Sequence, residues 1–600
     1  MAEEVLKLEP ASRESQQGKR WSAALPILIF VYLIVWACTG AHFMADTNVY
    51  TQAILRHQYG GGVVDYRQTT ANPFWDFGHI LWRPLGWLSF VVTAPVTQLF
   101  VHQNHRAQVL LTLLGINFVA SLGCVILFFL LARRLIGDER CSLLATVGFF
   151  SADAFLDYSH SGNAYVVGVA CLVAGMYVLW SENVSDHSLG RASIGRAMIG
   201  RAPIGRAMVA ALLFALAVLF WFPYIFMLPA AMAAPLWLYG REAQRRRLIG
   251  QTVVVCAVIG LAVYASAIAA VGIRNVADLR EWILAAGHGQ IQPGGVRAAA
   301  RLAFSVPRSF VNMDRDGMWL KRYLVDDPYS PVSTGSLFGY SLWKLGMFYA
   351  SATVVCVELL RSKRGRILLF LLAATVLPIF VFAVFIFEAG SIERYLPLFP
   401  FVFLAFGYVL ASPQSKRASK ILLLVALTAV VAVNLNAMRR GTLESRRAAA
   451  VGRIHDLVPL LTPESLVLAV SEQDSLAEFR QNFPLDPINV DTKWRAYDVL
   501  EINTERLATW REDLAKRVLG TWQQGGTVWL PVRFLSAKPK PEWNWVEGDD
   551  KRVQWTDLPM FFSQFDTGPE VGGDDGFVPL QDNQKNMEIL RPLSGELQSK

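Results

Sequence analysis

Apolar residues along this chain gather in runs of about 20, the length an α-helix needs to cross about 30 Å of hydrocarbon. Hydrophobic period and run length predict eleven helical spans, at 22–40, 107–132, 141–156, 163–180, 208–222, 224–239, 249–272, 338–360, 367–387, 395–412 and 421–437. Short basic clusters lie between them. They are Lys19/Arg20; Arg133/Arg134/Arg140; the arginines between 191 and 206; Arg241/Arg245/Arg246/Arg247; Arg361/Lys363/Arg364/Arg366; and Lys416/Arg417/Lys420. With the N-terminus inside, all six fall on the cytoplasmic side, as the positive-inside bias requires. One more apolar stretch, RPLGWLSFVVTAPVTQLF (83–100), would put every later cluster on the wrong side if it spanned. Carrying Pro84 and Pro95, it is expected to lie along the interface. The C-terminus is then expected outside, with Arg439, Arg440, Arg446 and Arg447 as the exception to the charge rule.

From about 438 onward the apolar runs shorten to strand length. SLVLAV (465–470) and GTVWLPV (526–532) read as buried strands, and TERLATWREDLAKRVL (504–519) as an amphipathic helix. The pattern therefore predicts an α-helical polytopic membrane protein of about 11 transmembrane helices with a small C-terminal α/β extramembrane domain. Its expected divisions are a cytoplasmic tail (1–21), a membrane domain (22–437), an exoplasmic α/β domain (438–565) and a polar, flexible tail (566–600). Within the membrane domain the first exoplasmic loop is 41–106 and a larger one is 273–337. Residues 189–208, LGRASIGRAMIGRAPIGRAM, repeat a five-residue unit four times. They read as a tandem expansion tolerated in a cytoplasmic loop, ahead of an anionic-lipid contact.

Composition sharpens this picture in three ways. The hydrophobic share is 53%, well above a soluble chain of 600 residues. The net charge of +8 sits between apolar runs, which excludes nucleic acid as a partner and leaves the bilayer. Cys38, Cys124, Cys141, Cys171, Cys256 and Cys356 lie in or at the ends of apolar segments, so no disulfide framework or cysteine metal site is expected. The first run lacks a small-residue cleavage site and reads as a retained span, in the plasma (inner) membrane.

Candidate chemistry collects on the expected exoplasmic face. On a helix starting near Asp46, residues Asp46, Tyr50, Ala53 and His57 share one side, placing a carboxylate where it can accept a hydroxyl proton. Asp46 as a plain helix cap is the alternative. In DFGHILWRPL (76–85), His79 and Arg83 precede a helix-opening proline, and Arg83 can pair with a phosphate or serve as an interfacial anchor. SADAFLDYSHSGNAY (151–165) offers Asp153, Asp157 and His160, as binding groups or as solvated loop residues. FEAGSIERYLPLFPF (387–401) offers Glu393, Arg394 and Tyr395, with Glu393 either in the site or merely paired with Arg394.

Four short motifs recur in order: Asp46-x-x-x-Tyr50, Arg83-Pro84-Leu85, Arg133-Arg134-Leu135-Ile136-Gly137 and Arg394-Tyr395-x-Pro-x-x-Pro. Together they resemble the GT-C superfamily of membrane glycosyltransferases, in the branch of protein O-mannosyltransferases and aminoarabinose transferases, over most of residues 20–410. The resemblance implies a polyprenyl-phosphate-linked sugar donor and a protein, lipid or glycan acceptor. Transfer would be on the exoplasmic face, with inversion. It implies Asp46 as base toward the acceptor hydroxyl and Arg83 and Arg394 near the lipid phosphate, and leaves a divalent metal cation open as cofactor. Tyr50, His79, Asp153, Asp157, His160, Glu393 and Tyr395 complete the expected binding set. Thr47 follows Asp46 where the mannosyltransferases carry Asp-Glu. Arg83 precedes one proline where the aminoarabinose transferases carry two. A transporter or flippase of lipid-linked substrates is the competing reading, but it would concentrate polar residues at mid-membrane in repeated halves. A non-catalytic membrane scaffold is the other.

Overall fold

The computed structural model describes residues 24–39, 45–59, 74–101, 105–180, 203–238, 243–285, 296–313, 333–337, 342–386, 389–440, 453–470, 498–502, 509–536, 557–573 and 576–595. Each of the eleven predicted spans overlaps a helix, but 141–156 is broken at Ala152 into two, Glu139–Ser151 and Asp153–Ser159. In chain order with their neighbours they begin with α1 (Ala24–Cys38), α2 (Ala45–Tyr59), α3 (Trp82–Val101), α4 (His105–Ile136), α5 (Glu139–Ser151), α6 (Asp153–Ser159) and α7 (Tyr165–Leu179). Next come α8 (Pro203–Phe220), α9 (Leu228–Leu238), α10 (Ala243–Val271), α11 (Val276–Ala285) and α12 (Val296–Phe310). The membrane part closes with α13 (Trp343–Leu360), α14 (Lys363–Phe385), α15 (Phe399–Ala411) and α16 (Arg417–Arg440). Seven described helical stretches are long and apolar enough to cross a bilayer, and four shorter apolar helices accompany them. The chain is a polytopic helical membrane protein.

Local chemistry sets the helix ends. After Arg133-Arg134, Gly137 adopts φ 77°, a left-handed conformation that stops α4. Asp138 then accepts a hydrogen bond from the Cys141 amide at 2.8 Å and starts α5. Ser362 does the same for Gly365 at the start of α14. The charged ends of these helices meet at one end of the bundle. Arg364 donates to the Leu135 carbonyl (2.8 Å), Arg206 to the Val178 carbonyl (3.1 Å), and Arg134 lies over the Tyr177 ring at 4.5 Å. Arg206 belongs to α8, which starts five residues before the predicted span, while residues 189–202 of the repeat lie outside the described residues.

Helix α3 covers the awkward segment 83–100. Gly86 packs on Ile54 and Leu113, and the Thr93 hydroxyl bonds the Thr112 hydroxyl at 2.8 Å. Two α3 positions about 10 Å apart along the helix thus meet the same turn of α4. By length and composition α3 is itself one of the seven stretches able to cross a bilayer, although the charge rule expects it at the interface.

The C-terminal unit is a four-stranded sheet of β1 (Leu466–Val470), β2 (Asp498–Ile502), β3 (Val528–Pro531) and β4 (Phe577–Leu580), in the order β2-β1-β3-β4. Strand β1 runs parallel to β2 and β3, and β4 is antiparallel to β3 with Val528 opposite Leu580. Helix α17 (Trp510–Gln523) makes the crossover and covers one face; residues 504–508 of the predicted amphipathic segment are outside the described residues. The expected flexible tail from 566 is corrected in part: β4 and a closing helix, α18 (Gln584–Ser594), bury Val578, Leu580 and Leu590 against Leu466, Leu468 and Leu530. Four-residue FVPL, flanked by Gly/Asp and Asp/Asn, is too short for a period to reveal it.

Candidate active site

Asp46 stands in the first turn of α2, and its carboxylate accepts a hydrogen bond from the Tyr165 hydroxyl at 2.9 Å. Tyr165 is the first residue of α7, so two helix starts far apart in sequence face each other. One turn into α2, the buried Tyr50 ring lies 5.4 Å from the Arg83 guanidinium. Arg83 donates to Asp76 at 2.9 Å, and both side chains are largely buried. Asp76 also accepts from the Gly78 amide at 2.8 Å, so the Asp-Phe-Gly turn builds its own carboxylate mount.

His79 follows on that turn. Its Nδ1 lies 3.0 Å from the Phe220 carbonyl, which can only accept, so Nδ1 carries the proton. Burial is the main cause that lowers the His79 pKa, opposed by the charge of Asp76, and keeps the ring neutral. Burial likewise raises the Tyr50 and Tyr158 hydroxyls well above their ordinary value, with Asp46 and Asp76 adding to the first and Glu393 and Asp157 to the second. Both phenols are therefore hydrogen-bond donors.

An aromatic wall joins these groups to the loop before α15. Ring centroids run Tyr50–His79 5.6 Å, His79–Tyr165 5.4 Å and Tyr165–Trp221 4.8 Å. The Arg394 guanidinium lies 5.6 Å from the Trp221 ring, and Glu393 lies 4.0 Å from Arg394. Tyr158 donates to Glu393 at 2.8 Å and packs edge-on against Tyr165 at 4.8 Å. Two buried arginines and the carboxylates Asp46, Asp76 and Glu393 thus belong to one connected cluster.

The surrounding shell is itself hydrogen-bonded. Thr47, beside the aspartate, bonds the Asn163 side chain and accepts from the Gly162 amide, each at 3.1 Å. Asn117 of α4 holds the same loop through the Ser161 and Asn163 carbonyls. Helix α11 fastens the Asp76 turn through Trp282, whose indole donates to the Trp75 carbonyl at 2.8 Å. Helix α12 fastens the Arg394 loop through Ser305, which donates to the Gly390 carbonyl at 3.0 Å.

Of the expected set, Asp46, Tyr50, His79, Arg83, Glu393 and Arg394 come together. Asp157 is buried beside Tyr158. Three others face elsewhere. His160 stacks on Trp36 at 4.9 Å and bonds Thr39 and the Trp36 carbonyl, tying α6 to α1. Asp153 accepts from Asn312 at 2.9 Å, whose own carbonyl accepts from Lys344. Tyr395 donates to the Ala389 carbonyl at 2.8 Å. Sequence reading did not single out Tyr158, Tyr165 or Trp221. The available signal was an aromatic at each break between apolar runs, which the interfacial aromatic belt imitates.

A divalent cation needs several convergent oxygen or nitrogen ligands. Among the described residues no group of three His, Cys, Asp or Glu side chains is arranged to hold one, and Asp76 is committed to Arg83. The described side chains of the cluster therefore do not fit a metal ion.

No family model and no curated protein matches the chain. Solved structures are similar to it. ArnT from Cupriavidus metallidurans, bound to undecaprenyl phosphate, matches with 12% identity over 94% of this chain and 98% of its own, at a TM-score of 0.48. The Archaeoglobus fulgidus oligosaccharyltransferase, in complex with zinc and sulfate, matches with 13% identity over 91% of this chain and 71% of its own, at a TM-score of 0.46. The same organism's oligosaccharyltransferase AglB, with an inhibitory peptide and a dolichol-phosphate, matches with 12% identity over 94% and 74%, at a TM-score of 0.41.

Proposed function

We propose that the protein is a membrane glycosyltransferase that moves a sugar from a polyprenyl-phosphate donor to an acceptor hydroxyl on the exoplasmic face. The observation that carries the reading is the connected cluster: a helix-start carboxylate held by a phenol, linked to two buried arginines at one end of an apolar bundle. Asp46 takes the acceptor proton as its oxygen attacks the anomeric carbon, and the bond from that carbon to the phosphate oxygen breaks. The electron pair leaves on the lipid phosphate, whose added negative charge Arg83 and Arg394 stabilise in a low-dielectric setting. One base and an attack opposite the leaving group give inversion. His79, neutral with its Nδ1 proton engaged, offers its other nitrogen as an acceptor for a substrate hydroxyl. The basic helix ends meet at the cytoplasmic side in this reading, which puts the cluster outside with the C-terminal unit.

Purified protein in lipid, offered a panel of polyprenyl-phosphate sugars with protein, lipid and glycan acceptors, tests this. Wild type releases polyprenyl phosphate. Asp46→Asn, which keeps the shape and removes the base, is expected to lose about a thousandfold or more of that rate. Full activity in Asp46→Asn sinks the assignment.

A further inference from the structure

Tyr165 is buried at 4% exposure, yet its hydroxyl is spent on a carboxylate rather than on the backbone. It donates to Oδ2 of Asp46 at 2.9 Å. Its ring is wedged edge-on between Tyr158 and Trp221, each at 4.8 Å. Its main chain is fixed as well, because the Tyr224 hydroxyl donates to the Tyr165 carbonyl at 2.8 Å. The phenol cannot swing away without displacing that packing. A carboxylate with no such partner rotates and presents either oxygen; one held through Oδ2 presents Oδ1.

We infer that Tyr165 is a positioning residue for the proposed reaction, holding Oδ2 of Asp46 so that Oδ1 meets the incoming hydroxyl. The inference rests on the reading of Asp46 as base. Tyr165 also touches Trp221, which carries Arg394, and Tyr158, which donates to Glu393. The same ring therefore sets the spacing between the base and the cation side of the cluster. Tyr165→Phe removes only the hydroxyl and keeps the ring, so it separates aim from packing.

The test is steady-state transfer from a panel of polyprenyl-phosphate sugars, with binding of polyprenyl phosphate itself as the second readout. Misaiming a reacting group without removing it lowers kcat by about tenfold to a hundredfold. Tyr165→Phe should do this while polyprenyl phosphate binds within about twofold of wild type, since the lipid does not need the hydroxyl. Tyr165→His, which restores a donor, should recover part of the lost rate. Full kcat in Tyr165→Phe overturns the inference, and so does a loss of lipid binding that matches the loss of rate, which would mean a packing role alone. Asp46→Asn in parallel keeps the two proposals apart. If it is inactive while Tyr165→Phe runs at full rate, only the positioning role falls; if it is active, the base assignment falls with it.

Discussion

Asp46 and Arg83 show how a single residue changes meaning with its neighbours. Either could be a cap or an anchor on its own turn; a tyrosine from α7 and a carboxylate from the preceding turn make them members of one cluster. His79 carries the clearest pH consequence. Its folded pKa lies below the ordinary 6.5 chiefly through burial. As pH falls below that value the unfolded chain takes up a proton that the folded ring does not, so folding stability drops until the folded pKa is passed. Thermal unfolding of the solubilised protein should therefore show a lower midpoint at about pH 5.5 than at about pH 7.5, with part of the difference removed in His79→Asn. Asn keeps a donor for the Phe220 carbonyl and does not titrate. An unchanged difference in that variant would assign the pH effect to other groups.

At the scale of elements, the membrane helices were legible because length, apolar period and flanking charge are written locally. Their caps came from the structure: Gly137-Asp138 and Ser362 sit where α4 ends and α5 and α14 begin. The fourth strand and the closing helix were not legible in the sequence, because a four-residue strand has no period of its own and is held by β3 across the sheet. The close approach of α7 to the break before α9 makes a specific demand on Gly168. A Cβ there would strike the Tyr224 ring, the same residue whose hydroxyl fixes the Tyr165 main chain. Gly168→Ala should therefore cost about 1–3 kcal/mol by overpacking and shift the aim of Tyr165. A lower thermal midpoint together with a lower transfer rate is the expected outcome, and wild-type values for both would show that the ring yields freely.

Across the whole molecule, charge and chemistry separate to opposite ends. The ends of α4, α7, α8 and α14 bring Arg134, Arg206 and Arg364 together, whereas the starts of α2, α3 and α7 bring Asp46, Arg83 and Tyr165 together. Sidedness is then a single measurable choice. In a background with all six cysteines replaced, Val276→Cys on α11 should react with an impermeant thiol reagent on intact cells, its position being 81% exposed. Arg361→Cys, at the basic end and exposed, should react only after permeabilisation. The reverse pattern would turn the orientation over and move the cluster to the cytoplasm.

The sequence by itself determined where the apolar helices fall along the chain and the segregation of basic loops, because a bilayer imposes length and charge rules on each segment separately. It also located Asp46, Arg83 and Arg394 as candidates, since polar groups beside apolar runs are costly enough to stand out. Only the tertiary structure decided which of them come together. Tyr165 meets Asp46 across 119 positions and Tyr158 meets Glu393 across 235, and no local period records such a pairing. The same packing turned His160, Asp153 and Tyr395 toward the scaffold, because a buried polar group must spend its hydrogen bonds on whatever neighbour the fold supplies.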